Sequence, residues 1–321
     1  MLQAVSRYRH DGTFNPEISW AFVKFDPDPR WSLRAGRLGT EFFMLADSRL
    51  VGYSYLTVRP PGDYFWSLPF QHVDGVDLAL TVPLAGGLLR GKAFAGASSE
   101  KMPLADRTWK LDGSLMTGAF ADFQRGPWQA RVAYARIRFN DNLPTDDLLA
   151  ALRATGAASA REAARALTVA DSHSDYTSFG LVYDDGPWQA QLMLNRVEHS
   201  SRAFQPADSG YLLAGRRFAS LTPYVGYSWV SSRSRQVPTG LPDVGPLTAL
   251  NAAVAQVLAD SHAHQHTSFV GVRWDFASNL AMKVQWDRIR GESASIFPYR
   301  WEKPGWNGRL DVFSLTFDFV F

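Results

Sequence analysis

The last eleven residues place the tightest constraint on what this chain can fold into. From Asp311 onward, Phe313, Leu315, Phe317, Phe319 and Phe321 fall on one side of an extended chain, and Val312, Ser314, Thr316 and Asp318 on the other. That is the period of two of a β-strand. An apolar face this continuous must either pack against a second sheet or meet hydrocarbon. The chain is 13% aromatic, with 11 Trp, 11 Tyr and 21 Phe, yet its mean hydropathy is −0.18. Its apolar runs are too short for a helix that crosses a membrane. A sheet apolar only at alternate positions reconciles the aromatic excess with the polar average.

The same alternation recurs in hairpins. GPWQA occurs at Gly126 to Ala130 and again at Gly186 to Ala190, each time a Gly-Pro turn leading into an alternating strand. After the second turn Trp188, Ala190, Leu192 and Leu194 share one face, and Gln189, Gln191, Met193 and Asn195 the other. A third hairpin turns at Ala277 to Asn279 and sends up Leu280, Met282, Val284 and Trp286 opposite Lys283, Gln285 and Asp287. Read this way, the chain predicts about fourteen strands, near 2–9, 17–25, 30–38, 73–83, 88–97, 108–122, 127–139, 173–184, 187–199, 210–218, 221–231, 265–276, 279–291 and 309–321. Short links (DPDP, LAGG, RGP, DGP, the turn near Ala219, ASN) alternate with long ones at 39–72, 140–172 and 232–264. Short turns at one end and long loops at the other are the asymmetry of an up-and-down membrane barrel. The expected fold is therefore a single all-β transmembrane antiparallel barrel over 1–321. Short helices are expected within 144–169, with Asp146 or Asp147 as N-cap, and within 243–260. Met1 to Arg9 already reads as strand, where an exported chain should carry a signal segment. The expectation is a start that lacks its leader and one hairpin, and an intact barrel of about sixteen strands.

Composition removes several function classes. The 33 basic and 31 acidic residues are spread along the chain, without the basic stripe that nucleic acid needs. With no cysteine, disulfides and thiolate metal sites are impossible. No glycine-rich phosphate loop occurs, and no cofactor is expected. His262, His264 and His266 alternate before a strand without an evident carboxylate, which reads as a solvated loop and not as a metal site. Ser172-His173-Ser174-Asp175 and Asp260-Ser261-His262 contain triad residue types, but adjacency in sequence is not triad geometry.

A terminal Phe preceded by alternating aromatics resembles the carboxyl-terminal signature of bacterial outer-membrane barrels. Residues 18–61, with the Gly36-Arg37 pair closing an up strand before a long loop, resemble the corresponding stretch of general Gram-negative porins. That resemblance implies a water-filled outer-membrane channel for passive diffusion of small hydrophilic solutes and ions, surrounded by lipid and assembled as a homo-oligomer, a trimer in the family. It also implies that the loop 39–72 folds inward and constricts the pore, with loop acids facing wall bases and Arg37 among the constriction residues. Strand alternation turns Arg7, Arg34, Arg90, Lys92, Arg131 and Lys283 to the polar side, and Glu41, Asp47 and Asp63 lie in the loop. Such opposed charges would set a transverse field across a narrow ring. Two other readings stay open: a barrel enzyme of lipase or protease type, and a soluble all-β binding protein with the phenylalanines in a sandwich core.

Overall fold

In the computed structural model, described for residues 1–8, 13–68, 70–104, 107–234, 237–245, 247–295 and 305–320, alternation becomes one large antiparallel sheet. Its strands are β1 (Leu2–Val5), β2 (Glu17–Asp28), β3 (Trp31–Gly39), β4 (His72–Leu84), β5 (Gly87–Ala97), β8 (Leu115–Arg125), β9 (Trp128–Arg138), β10 (His173–Asp184), β11 (Trp188–His199), β12 (Ala207–Arg216), β13 (Leu221–Ser232), β14 (His264–Ala277), β15 (Leu280–Gly291) and β16 (Arg309–Phe319). These fourteen pair strictly with their neighbours in chain order. Two short strands, β6 (Lys101–Leu104) and β7 (Arg107–Lys110), form a separate ribbon. The expected strand 108–122 is thus two elements, because the chain turns at Asp112–Gly113 between the ribbon and β8. Arg9 and the terminal Phe321 lie outside the described residues. Among the described residues β1 and β16 share no ladder.

The short links all sit at one end. At Ala85–Gly86 both residues have positive φ, 49° and 74°, the geometry that matches a two-residue turn to the twist of its strands. The opposite end carries the long connections. After the single helical turn α1 (Gly62–Phe65), helices α2 (Asp146–Ala154) and α3 (Ala158–Leu167) pack on each other, and α4 (Leu247–Asp260) packs on α2. Asp146 and Asp147 occupy the first turn of α2, where they complement the helix dipole; Thr145 is the N-cap. Leu149, Leu152, Ala160, Ala164, Val254 and Leu258 are buried beneath this cover, with Trp109 of β7 set 5.1 Å from the Phe139 ring.

Register separates the two faces. Ladder partners place Phe313, Leu315, Phe317, Phe319, Val132, Val225, Val270 and Val284 on the outside, and all of them are exposed. Phe313 is 77% exposed, which a sandwich core would not permit. Trp31, Trp128, Trp188 and Trp274 stand outward beside the short turns. Further along the strands a second outward aromatic set includes Trp229 near Tyr227, and Trp286 stacked 5.9 Å from Phe313. From Trp128 to Tyr134, or from Trp274 to His266, is six to eight residues, roughly 20–27 Å of strand, which at a tilt of about 40° covers most of the height of a barrel's lipid-facing band. Beyond the band, outward ion pairs begin: Arg136–Asp175 at 2.6 Å, Arg196–Asp208 at 2.8 Å and Arg290–Asp311 at 3.1 Å.

The inner faces of β3 and of β16, near opposite ends of the strand order, both contact the segment 40–71. The sheet therefore wraps around that segment, as a barrel wall does. A charge on the outside of such a wall meets hydrocarbon. Val132→Arg is expected to destabilise the fold by about 2–4 kcal/mol in a bilayer, read as a lower urea midpoint in liposomes, whereas exchanging the exposed Arg30 beside its turn for Gln should leave that midpoint unchanged.

Candidate functional site

Arg34, Lys92 and Arg131 belong to inward positions of β3, β5 and β9, and the register brings them to one half of the inner wall with Asp77 of β4 and Asp122 of β8. Glu41, two residues beyond β3, reaches back onto them. Its Oε1 accepts from Arg34 Nη2 at 2.8 Å and from Lys92 Nζ at 2.6 Å. Burial by itself would raise the Glu41 carboxyl; the Lys92 ammonium and then the Arg34 guanidinium outweigh it and hold it below the ordinary value. Asp77 accepts from Arg34 Nε at 2.9 Å, and Asp122 takes both forks of Arg131, at 2.6 and 2.8 Å. Such bidentate pairs are the strong class of ion pair. Phe120 lies among the cations, with Arg131 at 3.9 Å, Lys92 at 5.4 Å and Arg90 at 5.9 Å from its ring centroid. Nothing in the linear sequence marks Phe120; only its parity on β8 does.

The other half of the wall holds the far side of the segment 40–71. Lys283 Nζ donates to the carbonyls of Gly52 at 2.7 Å and Thr57 at 3.2 Å, and lies 2.8 Å from Asp318. Arg59 pairs with Asp287 and donates to Ser314 at 2.7 Å. Gln285 accepts from the Val58 amide at 3.0 Å, and Arg273 donates to the Tyr53 carbonyl at 2.8 Å. Asp63 accepts from Ser228 and from Gln265, each at 2.7 Å. Beside it, a cavity of about 20 Å³ lined by Thr57, Arg59, Ser228 and Asp287 has room for a water molecule.

Between these two halves the segment is aromatic. Phe42 packs on Phe94 at 5.7 Å and Tyr176 at 5.2 Å, and Tyr64 meets Phe43 at 5.1 Å and Tyr211 at 5.2 Å. Gly180 of β10 admits this packing, since a Cβ there would stand 2.7 Å from Met44 Sδ. The loop therefore enters the barrel and crosses it. It is seated by rings and by hydrogen bonds to its own carbonyls, as well as by charge.

The residues singled out by sequence are distributed accordingly. Glu41, Arg34 and Lys92 come together, Arg131 and Arg90 lie beside them, and Lys283 stands on the far wall. Asp47 is half-buried near Glu41; burial, and then the Glu41 charge, raise its carboxyl above the ordinary value. Asp63 faces serine and glutamine, and among the described residues it forms no ion pair with a base. Arg7 lies exposed past the end of β1. Arg37 is corrected: it is on the outward parity of β3, opposite to Arg34, and pairs with Asp74 at 2.7 Å in the outer rim of ion pairs. Of the loop acids expected to face wall bases, Glu41 touches Arg34 and Lys92 directly. His262 is 2.9 Å from Glu292, a carboxylate that sequence proximity did not reveal, while His264 turns to Ser231 and His266 stacks on Tyr227. Among the described residues no cluster suited to a metal ion forms. Ser174 Oγ lies 2.7 Å from His199 Nδ1, and among the described residues no carboxylate hydrogen-bonds that imidazole.

No protein-family model matches the chain, and no curated protein matches its sequence. Solved structures do match. A Salmonella typhi OmpF complex with daunomycin aligns with a TM-score of 0.59 at 10% identity, over 97% of this chain and 81% of that one. The outer-membrane channel DcaP of Acinetobacter baumannii aligns with a TM-score of 0.55 at 9% identity, over 99% of this chain and 79% of that one. This chain spans 66% of the length of an anion-selective porin from Comamonas acidovorans, with a TM-score of 0.49 and 12% identity. At such identities the likeness to OmpF and DcaP is one of fold: this chain has the architecture of an antiparallel porin-type β-barrel.

Proposed function

We propose that this protein is a porin-like channel of a bacterial outer membrane, passing small hydrophilic solutes and ions by diffusion, with residues 39–72 as its constriction. The carrying observation is the two-sided wall: an outward apolar band bounded by aromatics, and an inward face on which Arg34, Lys92 and Arg131 meet Glu41, Asp77 and Asp122. Paired charges on an inner wall give a solute polar contacts in place of its hydration shell without a deep binding well. The barrel neighbours support this reading. DcaP is an outer-membrane channel, and OmpT of Vibrio cholerae, which aligns in its trimer form with a TM-score of 0.50 at 11% identity over 86% of this chain and 71% of that one, is an outer-membrane protein; assembly of this chain as a homo-oligomer in lipid is part of the proposal.

Because the loop is seated on both walls, the expected channel is narrow. Purified protein in planar bilayers should conduct in small steps, and absence of conductance from a correctly folded, detergent-solubilised barrel overturns the reading. Arg59→Ala removes the contacts to Asp287 and Ser314 that hold residues 52–63 to β15 and β16. It is expected to raise single-channel conductance or open probability severalfold, and an unchanged current would show that the loop is not what limits flow.

Asp47 supplies a pH test. A carboxyl whose value is raised on folding disfavours the folded state wherever it is ionised in both states, and that penalty disappears once the pH falls below the unfolded value. Asp47→Asn is therefore expected to raise the temperature of heat-induced mobility change at pH 7. The gain should shrink as the pH is lowered toward the ordinary aspartate value of 3.8. A gain that persists unchanged in acid would contradict this assignment.

A further inference from the structure

The lipid-facing side of β9–β14 is not flat. Ladder partners set Trp128, Tyr183, Ala190, Ala214 and Val225 side by side across five strands, and Leu192, Leu212 and Tyr227 in the next level up. The paired methyl groups of Ala190 and Ala214 form a floor between the rings of Trp128 and Tyr183 on one flank and Tyr227 on the other. The result is an open apolar groove of about 730 Å³.

One level toward the short turns, Trp188 pairs with Arg216. The Arg216 guanidinium is 4.9 Å from the Trp188 ring centroid and 4.8 Å from that of Phe218. It is exposed, and among the described residues it has no carboxylate partner. Four outward arginines at the opposite rim differ in this respect, since Arg37, Arg136, Arg196 and Arg290 each meet an aspartate. Stacking on two rings holds the guanidinium plane in place and leaves edge N–H groups free, the arrangement that suits a phosphate.

We propose that this groove holds an acyl chain of a membrane glycerophospholipid whose phosphate rests on Arg216. From Arg216 to Leu212 is four residues, roughly 14 Å of strand, which at a barrel strand's tilt of about 40° reaches roughly 11 Å into a leaflet whose hydrocarbon is about 15 Å deep. The two alanines give the chain a recess that the neighbouring Leu, Val and Tyr side chains wall. The lipid belongs to the leaflet at the short-turn end. The proposal rests on the membrane-barrel reading above.

The test is native mass spectrometry of the full chain released from detergent after incubation with phosphatidylglycerol or with diacylglycerol, which lacks the phosphate. Three proteins are compared: the wild type, Arg216→Gln, and Ala214→Phe, which fills the recess and keeps the cation. Heat-modifiable gel mobility is checked in each preparation. The wild type should retain a phosphatidylglycerol adduct at least fivefold more abundantly than either variant, and no comparable diacylglycerol adduct. Equal retention by Ala214→Phe, equal retention by Arg216→Gln, or equal retention of diacylglycerol overturns the proposal. So does an Ala214→Phe protein that merely changes from oligomer to monomer, which would make the groove a contact between copies of this chain. A wild type without heat-modifiable mobility overturns the membrane-barrel reading itself, a result distinct from a folded barrel that retains no lipid.

Discussion

Each strand of this sheet separates two surroundings, and the rest of the molecule follows from that requirement. Backbone N–H and C=O groups within the sheet are spent on neighbouring strands, so the ladder can lie against hydrocarbon without orphaned polar groups. Side chains alternate across the wall, so one residue of slip would send Lys92, Arg131 and Lys283 outward and the phenylalanines of β16 inward. That exchange is costly on both faces at once. The register is pinned by the alternation and needs no special anchor, and the short turns, Ala85–Gly86 among them, maintain it from hairpin to hairpin.

The interior is the less expected part. A constriction built from charge alone would leave the loop held by long, exposed side chains, whose ion pairs contribute little in water. Here Phe42, Phe43, Tyr64 and Phe70 are fully buried, and the loop carbonyls of Gly52, Tyr53 and Thr57 accept from Lys283 and Arg273. Aromatic burial supplies the adhesion, and hydrogen bonds to the loop backbone supply the position. The inner wall is correspondingly mixed: Tyr176, Met193 and Tyr211 face the loop from the same strands that carry Ser178, Asn195 and Ser209. A strand that faced only water would not need those rings.

Much of the fold was legible in the chain because the relevant interactions are local. Alternation, Gly-Pro turns and the two GPWQA copies locate strands without reference to anything distant, and Ala-rich segments between strands announce α2, α3 and α4. The ribbon β6–β7 was missed for the same reason in reverse. Its residues alternate like a wall strand, and only their partner, one another and not β5 or β8, makes them a separate element. Arg37 shows the limit of a motif set against parity. It follows Arg34 by three residues, and an odd separation on a strand puts the two on opposite faces.

Sequence alone determined the strand order, the two faces of each strand, the end that carries the short turns and the absence of membrane-crossing helices, since each depends on neighbours a few residues apart. Tertiary structure alone decided that the long loop crosses the interior on a bed of rings, that Glu41 touches Arg34 and Lys92 while Asp63 meets serine and glutamine, and that two alanines from separate strands open a groove above Arg216. Those outcomes depend on which distant side chains the curvature of the sheet brings within a few ångströms, and periodicity along a chain does not encode curvature.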